Sequence, residues 1–201
     1  MKIAFNHNIF SIQRYGGVSR YYSMLANNLL EQGENAKIFA GFYFNKYLFN
    51  LPNEVVKGIG FNKYPPKSGL IFNWLNTRIN HVQIKSWQPD IIHETYYSKL
   101  PTFDSHAVRI TTVYDMIHEL FSDQYSIFHR AIRFKKKTIE RVDHIITISQ
   151  STKNDLIRLF GVKENKVSVV HLGVDLNIFR QPKVKNKFAE QSYILYVGSR
   201  V

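Results

Sequence analysis

The sequence predicts an α/β fold in which a parallel β-sheet carries helices on both faces. Short apolar runs alternate along the chain with amphipathic helical patterns, and this alternation is typical of such sheets. Several of the runs are rich in β-branched residues, most clearly residues 108–114. With 201 residues, of which 44% are apolar, the chain can also bury a substantial core.

Each strand and helix is assigned from its own pattern. Strands are predicted at residues 2–6, 36–44, 89–93, 108–114, 144–148, 167–170 and 193–197. Helices are predicted at about residues 18–30, 70–87 and 128–141, and after Ser149 or Ser151, either of which could cap the last helix. Gly33 should end the first helix, and residues 45–67 are predicted to be irregular. Ligands of parallel sheets bind at the carboxyl ends of the strands, so functional residues are expected there.

The chain is strongly basic, with a net charge of +12 at pH 7 from 27 Lys and Arg against 15 Asp and Glu. Such a charge favours a polyanionic partner, either nucleic acid or an anionic membrane surface. The absence of cysteine excludes a disulfide scaffold, a cysteine nucleophile and a thiolate metal site. No apolar run approaches the ~20 residues of a membrane-spanning helix, so a soluble protein of a reducing compartment is expected.

The positive charge is concentrated in one predicted helix. Residues 101–127 hold four acidic residues and one basic residue, whereas residues 128–141 hold Glu140 and six cations: Arg130, Arg133, Lys135, Lys136, Lys137 and Arg141. A solvated helix face is the ordinary explanation of such a run. A helix lying on an anionic bilayer also fits, and it fits better than nucleic acid because aromatic residues are sparse here.

Two glycines, Gly16 and Gly17, follow the first strand and open the first helix. Their backbone could pass close to a bound group, and the helix N-terminus would offer N–H donors to a phosphate. A plain tight turn explains the glycines equally well. The pair is neither the dinucleotide fingerprint nor a Walker loop.

The loop after the strand at residues 108–114 carries three ionisable side chains, Asp115, His118 and Glu119. Such a trio could orient sugar hydroxyls or exchange protons, although a turn with solvated side chains explains it as well. His93, at the end of a buried strand, is more often a packing residue than a catalyst. No metal site is expected, because His93, Glu94 and His118 lack the spacing of metal ligands.

Five short motifs occur in the order in which a known enzyme family has them. They are YGGV at residues 15–18, PDIIH at 89–93, TVYD at 112–115, IITISQSTK at 145–153 and VVHLGVD at 169–175, followed by Phe179. Together they resemble the N-terminal half of a family 4 glycosyltransferase, a retaining enzyme with the two-domain GT-B fold. The resemblance spans the whole chain, because ILYVGSR at residues 194–200 is similar to the first strand of that family's second domain.

The resemblance implies a domain organisation and an activity. Residues 1–180 would form a Rossmann-like acceptor-side domain, and residues 181–201 a linker and the first strand of a truncated nucleotide-sugar-binding domain. A sugar would pass from a nucleotide-sugar donor to a glycan or lipid-linked acceptor with retention and without a metal or cofactor. Surface polysaccharide or glycolipid assembly, with mannose as the sugar, is the implied setting. The chain alone would be inactive because most donor contacts are absent.

The resemblance also implies roles for individual residues. Asp115 and His118 would be catalytic, and the substrate would contact Gly16, Gly17, His93, Tyr114, Glu119, Ser149 and Arg200. Tyr114 stands where many members have a histidine, and His118 could take over that role. The six cations of residues 128–141 would attach the enzyme peripherally to the inner face of the cytoplasmic membrane, and nucleic acid is not expected as a partner. The alternative is a non-catalytic basic α/β module that binds an anionic membrane or nucleic acid.

Overall fold

The structure, a computed structural model, describes residues 1–99, 106–122 and 129–174 together with positions 192 and 194. Within this part of the chain, seven parallel strands form one sheet in the order β3–β2–β1–β4–β5–β6–β7. They are β1 Lys2–Phe5, β2 Asn35–Tyr43, β3 Val56–Gly60, β4 Ile91–Glu94, β5 Val108–Val113, β6 His144–Thr147 and β7 Val167–Val169. The predicted parallel α/β fold is therefore confirmed. Apart from positions 192 and 194, residues 181–201, which include the predicted linker, the predicted strand at 193–197 and Arg200, lie outside the described residues.

Helices follow most of the strands. They are α1 Gly17–Glu31, α2 Gly69–Trp87, α3 Ile117–Leu120, α4 His129–Arg141 and α5 Gln150–Phe160. Gly33 follows the end of α1 with a φ of 85°, a left-handed conformation that favours glycine. Of the two serines that could cap α5, Ser149 does so, because its hydroxyl accepts the N–H of Thr152 at 3.1 Å. Residues Met1–His171 form one compact unit, and Leu172–Val201 form a second.

The predicted irregular region, residues 45–67, contains a strand that the pattern did not indicate. β3 pairs in parallel with β2 at the edge of the sheet, and most of its side chains are exposed. Such a strand has no apolar periodicity, because it buries little and contains Gly58 and Gly60. Its position is fixed by backbone pairing with β2, which sequence periodicity does not report.

The two faces of the sheet are covered by different helices. On one face, Ile3 and Phe5 pack in a core with Tyr22 and Ala26 of α1. On the other face, Ala4 and Ile92 pack with Ile84 of α2. The same face continues through Val113 and Ile145 to α4 and α5, whose contributions to this core are Ile139 and Leu156. α2 and α4 therefore lie on the same side of the sheet.

Candidate active site

The site lies where the strand order changes direction, at the carboxyl ends of β1 and β4. The chain runs from β1 towards β2 on one side and from β4 towards β7 on the other, so the two outgoing loops diverge there and leave the crevice that α/β proteins use for ligands. Asn6 and Thr95 tie the loops together: the Thr95 N–H donates to Asn6 Oδ1 at 2.9 Å. The Asn8 side-chain amide donates to the carbonyl of Tyr96 at 3.1 Å. No motif in the sequence indicated a role for these residues.

The loop with Gly16 and Gly17 leads into α1 next to this crevice. Gln13 Oε1 accepts the N–H of Ser19 at 3.3 Å, and a Cβ on Gly16 would collide with that Gln13 side chain. A Cβ on Gly17, in contrast, would meet no described atom within 4 Å. Gly16 thus makes room for the group that caps α1, while the Gly17 backbone is open to a ligand. Because the first N–H groups of a helix have no acceptor within the helix, they remain suited to an anion.

Three tyrosines and a histidine fill the space between α1 and the ends of β4 and β5. The ring of Tyr114 packs edge-on against Tyr21 at 5.7 Å, and Tyr22 packs edge-on against His93 at 5.0 Å. Burial, followed by the charge and hydrogen bonding of Tyr22, raises the pKa of the Tyr114 phenol well above its ordinary value. Tyr114 is therefore a neutral aromatic side chain at the end of β5.

His93 is 2% exposed, and its ring stacks on Phe5. Its Nε2 lies 3.0 Å from the Thr112 hydroxyl. The substrate-binding role predicted for His93 therefore needs correction, because this ring is packed inside the protein and does not face the crevice. Ser149 is similarly occupied, since its hydroxyl caps α5 and lies 3.0 Å from the Thr152 hydroxyl.

The loop after β5 brings an exposed carboxylate to the edge of the crevice. Asp115 is exposed, and its Oδ1 accepts the N–H of Ile117 at 3.1 Å. His118 follows in the short helix α3 and is half-buried. Asp115 lies close enough to Tyr96 to help raise the pKa of that phenol, second to burial. Asp115 thus has a fixed orientation and remains accessible to a substrate hydroxyl.

Glu119 and Lys135 hold this loop from beneath. Lys135 Nζ donates to Glu119 Oε2 at 2.8 Å and to the Asp115 carbonyl at 3.0 Å, and it lies 5.3 Å from the centre of the Tyr97 ring. The side chains of Lys135 and Glu119 are 2% and 3% exposed. Lys135 is therefore not a membrane-facing cation, as the charge pattern predicted, but the buried support of the Asp115 loop. The substrate contact predicted for Glu119 stays a prediction for its Oε1 atom, which has no hydrogen-bond partner among the described residues.

A second buried carboxylate, Glu94, lies at the end of β4. Arg141 Nε donates to Glu94 Oε1 at 3.0 Å, its Nη2 donates to Oε2, and its Nη1 donates to the carbonyl of Ser98 at 2.8 Å. Arg109 Nη1 lies 3.6 Å from Glu94 Oε1. Arg141 therefore joins α4 to β4, and the prediction that it binds a membrane also needs correction. The cations of α4 that remain exposed are Arg130, Arg133, Lys136 and Lys137.

One feature of the sequence could have separated the buried Lys135 from the exposed cations of α4. Lys135 lies three residues after Ile132 and four before Ile139, so it falls on the apolar stripe of α4. A lysine on such a stripe must find a buried carboxylate or extend to solvent. For Arg141 there was no local signal, because Glu94 is 47 residues away in the chain.

A cavity of about 270 Å³ opens between α4 and the loop after β4. It is lined by Tyr96, Tyr97, Arg130, Ala131 and Phe134. The walls are aromatic and carry one guanidinium, which lies 5.2 Å from the centre of the Phe134 ring. Such a lining suits a sugar ring or an apolar group with a nearby negative charge.

Within residues 1–99, 106–122 and 129–174, no three side chains of the His, Asp and Glu type come together as metal ligands would. No helix in this part of the chain is long and apolar enough to cross a membrane.

Two buried histidines make the stability of the fold depend on pH. Burial lowers the pKa of His7 to about 4 and that of His93 to about 3, against about 6.5 in an unfolded chain. The unfolded state therefore binds more protons below about pH 6.5, and stability falls as the pH drops from there towards these lower values. At about pH 5 we expect each histidine to cost about 2 kcal/mol.

Urea unfolding at about pH 7.5 and about pH 5 measures this effect. In His93→Gln the loss of stability between the two pH values should be about 2 kcal/mol smaller than in the wild type. His81→Gln, which replaces an exposed histidine, is the control and should leave the pH dependence as it is. An unchanged pH dependence in His93→Gln would contradict a neutral buried His93.

Comparison with known proteins identifies the family to which this chain belongs. The family model of Glycosyltransferase Family 4 matches residues 15–178, which include the glycine loop, the Asp115 loop and helices α1 to α5. The chain belongs to Glycosyltransferase Family 4. The family resemblance read from the five motifs is thereby confirmed.

The relatives are longer proteins. The chain is 24% identical over 163 residues to the O-antigen chain mannosyltransferase RfbU of Salmonella typhimurium, covering 78% of this chain and 42% of that protein. In fold it is similar to a glycosyltransferase from Rickettsia africae, with a TM-score of 0.51, 22% identity, and 88% and 44% of the two chains covered. Anabaena Alr3699/HepE, solved in complex with UDP, aligns with a TM-score of 0.56 at 14% identity over 91% and 47%. The chain thus spans about half the length of the relatives it matches.

Proposed function

We propose that this chain forms the acceptor side of a retaining glycosyltransferase, which transfers a sugar from a nucleotide-sugar donor to a glycan or lipid-linked acceptor. The observation that carries the proposal is the family match over residues 15–178, which includes the Gly16–Gly17 loop and the Asp115 loop. Because the relatives are about twice as long, the donor would be bound mainly by a further domain, which Arg200 would help to form. No metal or cofactor takes part in this proposal.

Each side of the crevice has a task in this proposal. The N–H groups at the start of α1, beside Gly17, would bind a phosphate of the donor or an anionic group of the acceptor. Asp115 would accept a hydrogen bond from a substrate hydroxyl or its proton in the transition state. His118 would assist from the same loop, and Tyr114 would form the wall against which the sugar packs. The aromatic cavity beside α4 would hold the acceptor, with Arg130 facing a phosphate of a lipid-linked one.

Mannose is the sugar to test first, since the chain is similar over most of its length to a protein named as a mannosyltransferase. Assembly of a surface polysaccharide or glycolipid is the proposed setting, with the enzyme at the inner face of the cytoplasmic membrane. The exposed cations of α4 (Arg130, Arg133, Lys136 and Lys137) would attach it there, each contributing ~1 kcal/mol near an anionic surface.

The donor can be identified by thermal unfolding of the full-length protein with a panel of nucleotide sugars. A ligand that binds only the folded state at 100 times its Kd raises the stability by about 2.7 kcal/mol, so the true donor should raise Tm. The matching free nucleoside diphosphate is the control for recognition of the sugar. If no nucleotide sugar raises Tm while duplex DNA does, the protein is instead a basic module that binds nucleic acid.

A further inference from the structure

Helix α2 exposes apolar side chains on the side that faces away from the sheet. Leu70 is 80% exposed, Ile71 62% and Trp74 58%, and Val82 lies on the same side of the helix about two turns after Trp74. These residues belonged to the apolar pattern that predicted the helix, but the structure turns them outward. A contiguous apolar stripe on a surface helix indicates a surface that meets a partner.

The buried side of α2 is polar where a core would be expected. Asn76 and Asn80 are both fully buried. The Asn76 amide accepts the Phe42 N–H and donates to the Phe42 carbonyl, both at 2.7 Å, and Asn80 Oδ1 accepts the His7 N–H at 3.1 Å. These bonds fix which side of the helix meets the sheet. If the helix rotated to bury its apolar stripe, the Asn76 and Asn80 side chains would lose these hydrogen bonds to the backbone of Phe42 and His7.

The chain segment that contains α2 carries positive charge alone. Between Val55 and Pro89 the sequence contains no Asp or Glu and five cations, all of them exposed: Lys57, Lys63, Lys67, Arg78 and Lys85. The Arg78 guanidinium lies 5.7 Å from the centre of the Trp74 ring, beside the apolar residues. Tryptophan, aliphatic residues and cations on one helix face are the combination that binds the headgroup region of a bilayer.

α2 and α4 face the same way. Ile84 of α2 and Ile139 of α4 pack on the same face of the sheet, so their outer sides point to the same side of the protein. α4 contributes exposed cations there, but no exposed large apolar side chain among its described residues. Electrostatic attraction can thus come from both helices, whereas among the described residues of these two helices the exposed large apolar side chains belong to α2.

We propose that the outer face of α2, centred on Leu70, Ile71, Trp74 and Arg78, inserts into the interface of a bilayer rich in anionic lipids. A second copy of the chain is a poorer occupant, because it would bring the same cations against themselves. Nucleic acid would leave the aliphatic residues Leu70 and Ile71 without apolar contact. The proposal builds on the membrane attachment proposed above but not on sugar transfer, so vesicle binding tests it whether or not the protein transfers a sugar.

Sedimentation with phosphatidylcholine vesicles that contain phosphatidylglycerol is the first experiment. Ile71→Ser should weaken binding at least about tenfold, since the aliphatic side chain whose burial in the bilayer drives insertion is lost. Arg78→Gln should weaken it about fivefold, and vesicles without phosphatidylglycerol should bind neither variant nor wild type well. Met24→Ser is the matched control, because Met24 is an exposed apolar residue of α1 on the opposite face of the sheet.

Tryptophan fluorescence is the second experiment, since the chain has only two tryptophans, Trp74 and Trp87. Anionic vesicles should shift the emission of the wild type to the blue, and Trp74→Phe, which keeps the half-buried Trp87, should abolish the shift. Ile71→Ser that binds like the wild type, or a shift that persists in Trp74→Phe, would overturn the proposal. Vesicle binding that depends only on Lys136 and Lys137 of α4 would also overturn it. The same holds if the α2 variants change the oligomeric state of the protein and leave vesicle binding unchanged.

Discussion

Asp115→Asn is expected to lower the turnover of the full-length protein at least about 100-fold, the low end for a positioned acid–base or polar catalytic group. Asp115 is an exposed carboxylate at the end of β5, held in place by the Ile117 N–H. Asparagine keeps the oxygen that accepts this N–H and removes the charge. The loss should therefore appear in kcat with the fold intact.

Initial rates of sugar transfer at saturating donor measure this effect, with Asp155→Asn as the control. Asp155 is another carboxylate at the surface, paired with Arg158 on α5 and distant from the Asp115 loop in the chain. His118→Ala should show a loss of the same order if His118 shares the task. Near-normal rates in Asp115→Asn and His118→Ala would mean that this loop is an ordinary turn without a catalytic role.

Glu94→Gln should lower the free energy of unfolding by about 3–5 kcal/mol, as expected when a buried ion pair loses one partner. The Glu94 side chain has no exposed surface, and it faces the guanidinium groups of Arg141 and Arg109. Glutamine has nearly the same shape but leaves the positive charges without a counter-charge. Because Arg141 ties α4 to β4 through this carboxylate, the loss should affect the whole domain.

Urea unfolding near neutral pH gives the comparison, and Glu34→Gln is the control. Glu34 pairs with the N-terminal amine at 2.8 Å, but both groups are partly exposed, so Glu34→Gln should cost much less stability than Glu94→Gln. If Glu94→Gln and Glu34→Gln cost the same, the buried network around Glu94 does not contribute as its geometry implies.

The sequence was sufficient for the parallel sheet and the strand-end loops, because buried strands and amphipathic helices have periodic patterns of their own. The cap that Ser149 provides for α5 could also be predicted, since it depends on residues three positions apart. Asp115 could be identified as a candidate because it directly follows a strand that the sequence pattern predicts.

Features that depend on distant partners could not be predicted. The charge pattern predicted that Lys135 and Arg141 are surface cations, but they form ion pairs with the buried carboxylates of Glu119 and Glu94. The outward face of α2 depends on Asn76 meeting the backbone of Phe42, 34 residues earlier in the chain. A helical pattern in the sequence shows which apolar residues share one side of a helix. Contacts with residues elsewhere in the fold determine which side is buried.

We propose that this chain provides the acceptor side of a retaining sugar transfer. The most direct measurement incubates the full-length protein with a nucleotide sugar, beginning with a mannose donor, and a lipid or glycan acceptor. Mass spectrometry then detects the product, and NMR determines its anomeric configuration. We expect a product one sugar heavier than the acceptor, with the anomeric configuration of the donor retained. An inverted product, or no transfer from any nucleotide sugar of the panel, would contradict it.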